Sequence, residues 1–249
     1  MPHFFVSSKD VINNRLIISD KDTYQHIAKS LRTKVGEELL LIDEKRVQYE
    51  VSVVEITSKE IVVNINKLYP SNRYLDFNLF LAQSPLRSDA QSTVIEKATE
   101  LGVCGVFPVL TDNCAVKKDV VSKKVEKWQK IMYEASKQCE RAFIPTCFEP
   151  INTLEDILKN KKFDKIIAFC ERQTDLTLRE YVSYNEIASG GNLLVIIGPE
   201  GGFSQREFQL LKDYQIPMLT LGDLILKAET AVIVGLGNII YEFNNYRKN

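Results

Sequence analysis

The sequence predicts an α/β fold with a largely parallel sheet, preceded by a small, mainly antiparallel β-barrel. From Asp76 onward, short apolar runs alternate with segments of helical periodicity, a pattern typical of strand–helix units around a parallel sheet. From Arg15 to Lys67 the apolar residues instead come in short alternating bursts between polar turns. Residues 69–73 between the two parts carry a proline and turn-forming residues, so we expect a linker there.

The N-terminal part is predicted to contain strands and one helix. The strand segments are rich in β-branched residues and end at polar turns; they are Arg15–Ile18, Glu38–Ile42, Gln48–Ile56 and Glu60–Ile65. The helix, Asp22–Ser30, opens with an acidic first turn. Half-buried strands joined by short turns favour a small barrel.

In the C-terminal part, short buried strands alternate with helices. The predicted strands are Phe77–Ala82, Val103–Val109, Lys165–Phe169, Leu193–Ile197 and Pro217–Leu221. The predicted helices are Thr93–Leu101, Lys123–Cys139, Leu154–Asn160, Gln205–Tyr214 and Thr230–Tyr241. Trp128 shares helical spacing with Val125 and Met132, so we predict that it anchors the core.

Charge and hydropathy exclude several classes of protein. The 249 residues include 32 Lys and Arg against 33 Asp and Glu, so no global positive field attracts nucleic acid. Residues 117–141 carry a local basic excess, which either steers phosphate or is an ordinary solvated helix face. The longest apolar runs, Leu193–Ile197 and Ala231–Ile240, are shorter than the roughly 18 residues of a membrane helix. With no secretory leader pattern, we expect a cytoplasmic protein that does not span a membrane.

The sequence offers few residues that could bind a metal ion or act as an activated nucleophile. Five cysteines include no C-x-x-C pair, and His3 and His26 have no cysteine or carboxylate cluster nearby in the sequence. We therefore expect reduced, mostly buried thiols and no metal site. A Ser-His-Asp or Cys-His apparatus is equally unexpected.

Residues 193–207 form the most informative segment. A predicted strand ends in the glycine-rich turn Gly198–Gly202, and Ser204 with Glu207 forms an S-x-x-E capping box that starts a helix. Loops at such strand ends bind ligands in α/β sheets, and glycine lets the backbone approach a ligand closely. The turn matches neither a dinucleotide nor a phosphate-loop motif, and taken alone it is equally well explained as a tight turn.

A second strand-to-glycine turn lies in residues 219–231. Gly222 follows the predicted strand, and Lys227 and Glu229 stand near the start of the next helix. Two such loops in one sheet can form the walls of one pocket. Glu229 could equally be a first-turn residue that offsets the helix dipole.

These segments resemble a known family. Ile197–Ser204 followed by Leu221–Ala231 is similar to the signature of the small-subunit ribosomal RNA uridine-N3 methyltransferases, a branch of the trefoil-knotted SPOUT class. Further stretches agree in the same order along nearly the whole chain; they are His26–Arg32 with Gly36, Glu96–Val103 with Pro108, and Glu134–Arg141 with Pro145.

The resemblance implies a PUA-like, RNA-binding barrel over residues 1–72 and a knotted SPOUT methyltransferase domain over residues 73–249. It also implies S-adenosylmethionine as methyl donor, a homodimer with active sites near the subunit interface, and 16S ribosomal RNA within the 30S subunit as the target. The knot follows from the resemblance alone, because knots are rare in proteins.

The resemblance also implies candidate site residues. The cofactor is expected to contact Cys170, Ile197, Gly198, Pro199, Gly201, Gly202, Leu221, Gly222, Leu224, Ile225, Leu226, Ala228, Thr230 and Ala231. Because uridine N3 must lose a proton, Glu200 and Glu229 are candidate acceptors and Lys227 could stabilise charge on the base. RNA contacts are expected from His26, Arg32, Arg87, Lys117, Lys118 and Arg141.

The chain departs from the family pattern at several positions. Ser92 stands where the family usually has Glu, and Asn113 and Leu224 each stand where it has Arg. Losing two guanidinium groups removes bidentate phosphate or cofactor contacts. Two alternatives therefore stay open: a degenerate knotted protein that binds RNA without methylating it, and a SPOUT enzyme that methylates another atom, such as a ribose 2′-oxygen.

Overall fold

The computed structural model describes residues 3–171 and 174–243. The chain divides into two compact units, residues 1–74 with 136–143 and residues 75–135 with 144–249. The sequence pattern assigns residues 136–143 to the C-terminal part, because so short a segment leaves no mark in hydrophobic periodicity. Their place in the first unit is a difference that only tertiary contacts reveal.

The first unit is built on one six-stranded sheet. Its strands are β1 (His3–Phe5), β2 (Val11–Ile12), β3 (Arg15–Ile18), β4 (Glu38–Ile42), β5 (Val47–Ile56) and β6 (Ile61–Pro70). They lie in the order β1-β4-β5-β6-β3-β2, with β1 parallel to β4 and all other neighbours antiparallel. The mainly antiparallel character is confirmed. The sequence missed β1 and β2, which are too short to show a period of two.

One helical segment interrupts this sheet, as predicted. It begins as α1 (Lys21–Tyr24), where the Asp20 carboxylate accepts the Thr23 N–H at 2.8 Å, and continues as a π-helical stretch, Gln25–Ser30. Ile27 from this stretch is fully buried among the apolar side chains of the sheet. The strand β6 runs on to Pro70, into the segment expected to be the linker.

The second unit contains an entirely parallel sheet. Its strands are β7 (Asn78–Gln83), β8 (Gly105–Pro108), β9 (Thr146–Cys147), β10 (Lys165–Phe169), β11 (Asn192–Ile197) and β12 (Met218–Leu219). They lie in the order β12-β10-β11-β7-β8-β9, and each neighbouring pair is parallel. The predicted α/β class with a parallel sheet is confirmed, although the knot itself stays a prediction.

Helices follow or precede these strands throughout. They are α2 (Ser88–Glu100), α3 (Lys118–Ser122), α4 (Val125–Gln138), α5 (Leu154–Leu158), α6 (Leu178–Val182), α7 (Gln205–Asp213) and α8 (Ala228–Phe243). The sequence missed the five-residue helices α3 and α6, whereas α5, of the same length, lies within the predicted helix Leu154–Asn160. The expectation for Trp128 is confirmed, because it is 2% exposed and lies in the core cluster with Met132.

Both faces of the parallel sheet are buried. Along β11, Leu193, Val195 and Ile197 belong to one apolar cluster. Their neighbours Leu194 and Ile196 belong to another. A strand covered on both faces must be apolar throughout, which is why the run Leu193–Ile197 predicts this strand without any alternation.

Candidate functional site

A cavity of about 630 Å³ opens at the carboxyl end of the parallel sheet. Its lining includes Phe169 and Ile197, which end β10 and β11, and Thr220, which follows β12. The volume is in the range of small-molecule sites, and strand ends of this kind are where open α/β sheets bind ligands. The structure therefore brings both glycine loops to one cavity.

Most of the predicted cofactor contacts line this cavity; they are Cys170, Ile197, Gly198, Pro199, Gly202, Leu221, Gly222, Leu224, Ile225, Leu226, Ala228 and Ala231. The catalytic candidates Glu200, Lys227 and Glu229 also line it. Gly201 and Thr230 are outside the lining. The Gly201 carbonyl instead accepts a hydrogen bond from the Asn113 amide, and Thr230 lies in the first turn of α8.

Two of the lining glycines have backbone angles that favour glycine. Gly202 has φ +66° and Gly222 has φ +115°, and a Cβ at either position would meet no atom within 4 Å. Conformation rather than crowding therefore selects glycine here. Thr220 fixes the second turn, because its Oγ1 accepts the Gly222 N–H at 3.0 Å.

The first glycine loop leads directly into α7 through the predicted capping box. Ser204 Oγ accepts the Glu207 N–H at 3.1 Å, and Glu207 Oε2 accepts the Ser204 N–H at 2.9 Å. Glu207 is fully buried. This reciprocal pair satisfies two of the free backbone donors at the helix start and thereby fixes where the loop ends.

The ionisable groups that line the cavity are mainly acidic. The acidic residues of the lining are Glu171, Glu200 and Glu229. Lys227 is the only basic residue among the described lining residues. Glu200 Oε1 also accepts the Arg87 N–H at 3.3 Å. An excess of carboxylates favours a ligand with positive charge. Glu229 lies in the first turn of α8 and also lines the cavity, so its two possible roles are compatible.

Three aromatic side chains form part of the cavity wall and are absent from the site residues predicted from the sequence. Phe169, Phe203 and Phe208 line the cavity, and the rings of Phe203 and Phe208 meet edge to face at 5.9 Å between centroids. Phe169 is the last residue of β10, so the rule that ligands bind at strand ends could have identified it. Phe203 lies within the signature segment Ile197–Ser204, whereas Phe208 carries no comparable signal, because apolar residues in the first turns of a helix are usually core.

Burial raises the pKa of the Cys170 thiol to about 12. The thiol is therefore protonated at neutral pH, and a protonated thiol is a poor nucleophile. Cys170 contributes a small apolar surface to the cavity, not a reactive sulfur.

The predicted RNA contacts lie outside the cavity lining. In the second unit, Arg87, Lys117 and Lys118 are exposed, and Lys118 Nζ donates to Asn152 Oδ1 at 2.6 Å. In the first unit Arg32 is exposed. Side chains exposed in this way are accessible to phosphate groups.

Two of the predicted RNA contacts in the first unit are less open. His26 is half-buried, with its ring edge-on to Phe4 and its Nδ1 3.5 Å from Lys137 Nζ. Arg141 is only 6% exposed, and its guanidinium stacks 4.4 Å above the Phe143 ring. A guanidinium buried against an aromatic ring offers little surface to an RNA phosphate.

Within residues 3–171 and 174–243, no helix has the length and apolarity required to cross a membrane. In the same residues, no group of three or more His, Cys, Asp or Glu side chains is arranged to hold a metal ion.

Comparison with protein families gives two matches. A family described as the RNA methyltransferase domain matches residues 73–240. A second family, described as the RNA methyltransferase PUA domain, matches residues 18–66.

Similar sequences and structures carry related names. The ribosomal RNA small subunit methyltransferase E of Mesomycoplasma hyopneumoniae is 30% identical over 235 residues, 94% of this chain and 96% of that protein. The protein of the same name from Buchnera aphidicola is 27% identical, and the match covers 99% of this chain and 96% of that protein. A methyltransferase structure from Legionella pneumophila with bound SAM has a TM-score of 0.83 and 27% identity, covering 96% of this chain and 97% of that one.

Proposed function

Because the chain belongs to the RNA methyltransferase family, and within it to the ribosomal RNA small subunit methyltransferase E proteins, we propose that it transfers a methyl group from S-adenosylmethionine to N3 of a uridine in small-subunit ribosomal RNA. The observation that carries this proposal is the cavity at the ends of β10, β11 and β12, which both glycine loops of the family signature line. The assembled 30S subunit, in the cytoplasm, is the proposed target.

The residues of the cavity suit S-adenosylmethionine. Its volume of about 630 Å³ accommodates a ligand of nucleoside size. Gly198, Gly202 and Gly222 line the cavity and carry no Cβ, so their N–H and C=O groups can come close enough to hydrogen-bond adenine and ribose. The carboxylate excess among the lining residues complements a sulfonium cation, and the apolar side chains of Leu221, Ile225 and Leu226 can cover the adenine faces.

S-adenosylmethionine, when bound, would supply a methyl group on a sulfonium: the nucleophile attacks the methyl carbon in line while the carbon–sulfur bond breaks, and S-adenosylhomocysteine leaves as a neutral thioether. The chain's own contribution is to hold the nucleophile in place and to exclude water. Its aromatic wall of Phe169, Phe203 and Phe208 provides an apolar surface that strengthens electrostatic interactions inside the cavity.

Uridine N3 must lose its proton before or during the transfer. Glu200 and Glu229 are the carboxylates proposed to accept it, and the ammonium of Lys227 is proposed to stabilise the negative charge that develops on the base. All three residues line the cavity, which supports these proposed roles.

A homodimer is also proposed. Apolar side chains near the cavity and along α8 are exposed: Leu224 (81%), Ile225 (54%), Ile233 (37%) and Tyr241 (69%). Apolar groups exposed together are typical of surfaces that bind another protein. Two of them, Leu224 and Ile225, also line the cavity, so a second copy that covers them would help to close the site.

The proposed reaction is tested by incubating the full-length protein with labelled S-adenosylmethionine and either 30S subunits or naked 16S RNA, followed by nucleoside analysis. We expect N3-methyluridine, with 30S subunits as the better substrate. A ribose-methylated product would replace the proposed atom by a ribose 2′-oxygen. Binding of the cofactor or of RNA without any methylated product would instead support a degenerate RNA-binding protein.

A further inference from the structure

The loop that follows β8 contacts the first glycine loop from outside the cavity. The side-chain amide of Asn113 donates to the Gly201 carbonyl at 3.3 Å and to the Gly202 carbonyl at 3.1 Å. A primary amide has two N–H groups, so one side chain can hold two consecutive carbonyls. Gly202 lines the cavity, which makes this contact adjacent to the proposed cofactor.

The approach of the two loops is close. A Cβ added at Gly201 would lie 3.2 Å from the Asn113 Cβ, tighter than an ordinary van der Waals contact. The absence of a Cβ at Gly201 therefore lets the glycine loop come this close to the segment that carries Asn113.

Asp112 fixes the backbone that carries Asn113. Its N–H donates to the buried Glu207 Oε1 at 2.9 Å. Its carboxylate accepts hydrogen bonds from Ser204 Oγ at 2.5 Å, from Arg206 Nη2 at 2.5 Å and from Arg206 Nε at 3.0 Å. These bonds join the loop after β8 to the start of α7 and so hold the segment that carries Asn113.

We propose that Asn113 is a positioning residue, whose amide clamps the glycine loop in the shape that binds S-adenosylmethionine. The inference rests on the proposed function for the identity of the ligand. The clamp acts only through the loop, because Asn113 itself does not line the cavity. It also gives the departure from the family arginine a structural role.

Asn113→Asp tests the clamp, because aspartate has the same shape but turns a donor toward the two carbonyls into an acceptor. Calorimetry of the full-length variant with S-adenosylmethionine is expected to show about tenfold weaker binding, as for the loss of hydrogen bonds from one side chain. In steady-state assays we expect the KM for S-adenosylmethionine to rise while the KM for 30S subunits stays unchanged. Equal affinity in the variant and the wild type would overturn the proposal.

Asn78→Asp is the matched control. Asn78 Nδ2 donates to the Gly190 carbonyl at 3.0 Å at the opposite, amino end of the same sheet. If both variants lose thermal stability but only Asn113→Asp loses affinity for the cofactor, the clamp is supported. If both lose affinity equally, Asn113 has a general structural role and the proposal fails.

Hydrogen–deuterium exchange separates this proposal from the proposed function. Without any ligand, Asn113→Asp should speed the exchange of amides in residues 198–203, while Asn78→Asp should not. Failure of the wild type to bind S-adenosylmethionine would refute the proposed cofactor, whereas unchanged exchange in this loop would refute the clamp.

Discussion

Glu200 and Glu229 illustrate what a single residue position can and cannot specify. Glu200 lies in the glycine loop after β11, and Glu229 lies in the first turn of α8. Both line one cavity although they are far apart in the sequence. Both are proposed as proton acceptors, and each also has a structural alternative: Glu200 accepts the Arg87 N–H, and Glu229 stands where a carboxylate stabilises a helix start.

Replacing each carboxylate by its amide identifies the proton acceptor. We expect Glu200→Gln or Glu229→Gln to lower kcat about 10²- to 10⁴-fold, the usual contribution of a general base, with little change in the affinity for S-adenosylmethionine. The other variant serves as the matched control. If neither lowers kcat more than about tenfold, the proton leaves by a route that involves neither side chain.

His3 gives a prediction about pH and stability. It is 5% exposed, and neither ring nitrogen has a hydrogen-bond partner among the described residues. Burial, and to a lesser extent the charge of Arg73, lowers the pKa of His3 to about 4. This pKa lies below the unfolded value of 6.5. The contribution of neutral His3 to the free energy of unfolding is therefore fully present above pH 6.5 and is lost as the pH falls toward about 4.

His3→Phe should flatten this part of the pH profile. We expect the wild type to lose on the order of 1–3 kcal/mol more than the variant between pH 7 and pH 4, measured by urea unfolding at several pH values. Parallel profiles for His3→Phe and the wild type would contradict the assignment.

At the scale of the element, α8 packs so closely on the sheet that a side chain at Gly235 would displace a neighbouring ring. A Cβ at Gly235 would lie 2.8 Å from the Phe169 ring. Phe169, the last residue of β10, lines the cavity, so the packing of α8 bears on the position of this aromatic wall. The sequence shows Gly235 only as a glycine within a helical pattern, where it costs helix stability relative to alanine.

Gly235→Ala should therefore affect both stability and binding. We expect about 1–3 kcal/mol of destabilisation from overpacking and weaker binding of S-adenosylmethionine, because Phe169 must move. Gly237 lies on the same helix, and a Cβ there would meet nothing within 4 Å. Gly237→Ala should stabilise the protein by up to about 1 kcal/mol without changing affinity, and an identical response of both variants would argue against the Phe169 contact.

At the scale of the whole molecule, each unit has its own apolar core. The second unit nevertheless leaves apolar side chains exposed along α8 and in the loop before it. The proposed homodimer would cover them. Since Leu224 and Ile225 line the cavity as well, association and cofactor binding should be linked.

Ile233→Glu tests this association. We expect the variant to sediment as a monomer where the wild type sediments as a dimer, because a charge buried in an apolar interface is costly. Tyr184→Glu is the control, since Tyr184 is 90% exposed and belongs to another segment. A wild type that sediments as a monomer at micromolar concentration would contradict the homodimer.

The sequence by itself determined most of the longer strands and helices, the parallel class of the second sheet and the two glycine loops. Hydrophobic periodicity, capping and turn chemistry are local, so they can be read without knowing the fold. The capping box of Ser204 and Glu207 and the buried strand Leu193–Ile197 are examples.

Only the tertiary structure decided which residues share a site. Three features join segments that are distant along the chain. They are the aromatic wall with Phe169, the place of residues 136–143 in the first unit, and the hydrogen bonds from Asn113 to Gly201 and Gly202. Asn113 illustrates the reason. Its sequence position suggests only a lost arginine, whereas its function in the structure depends on a glycine loop 88 residues away, and such contacts follow from packing that no local pattern encodes.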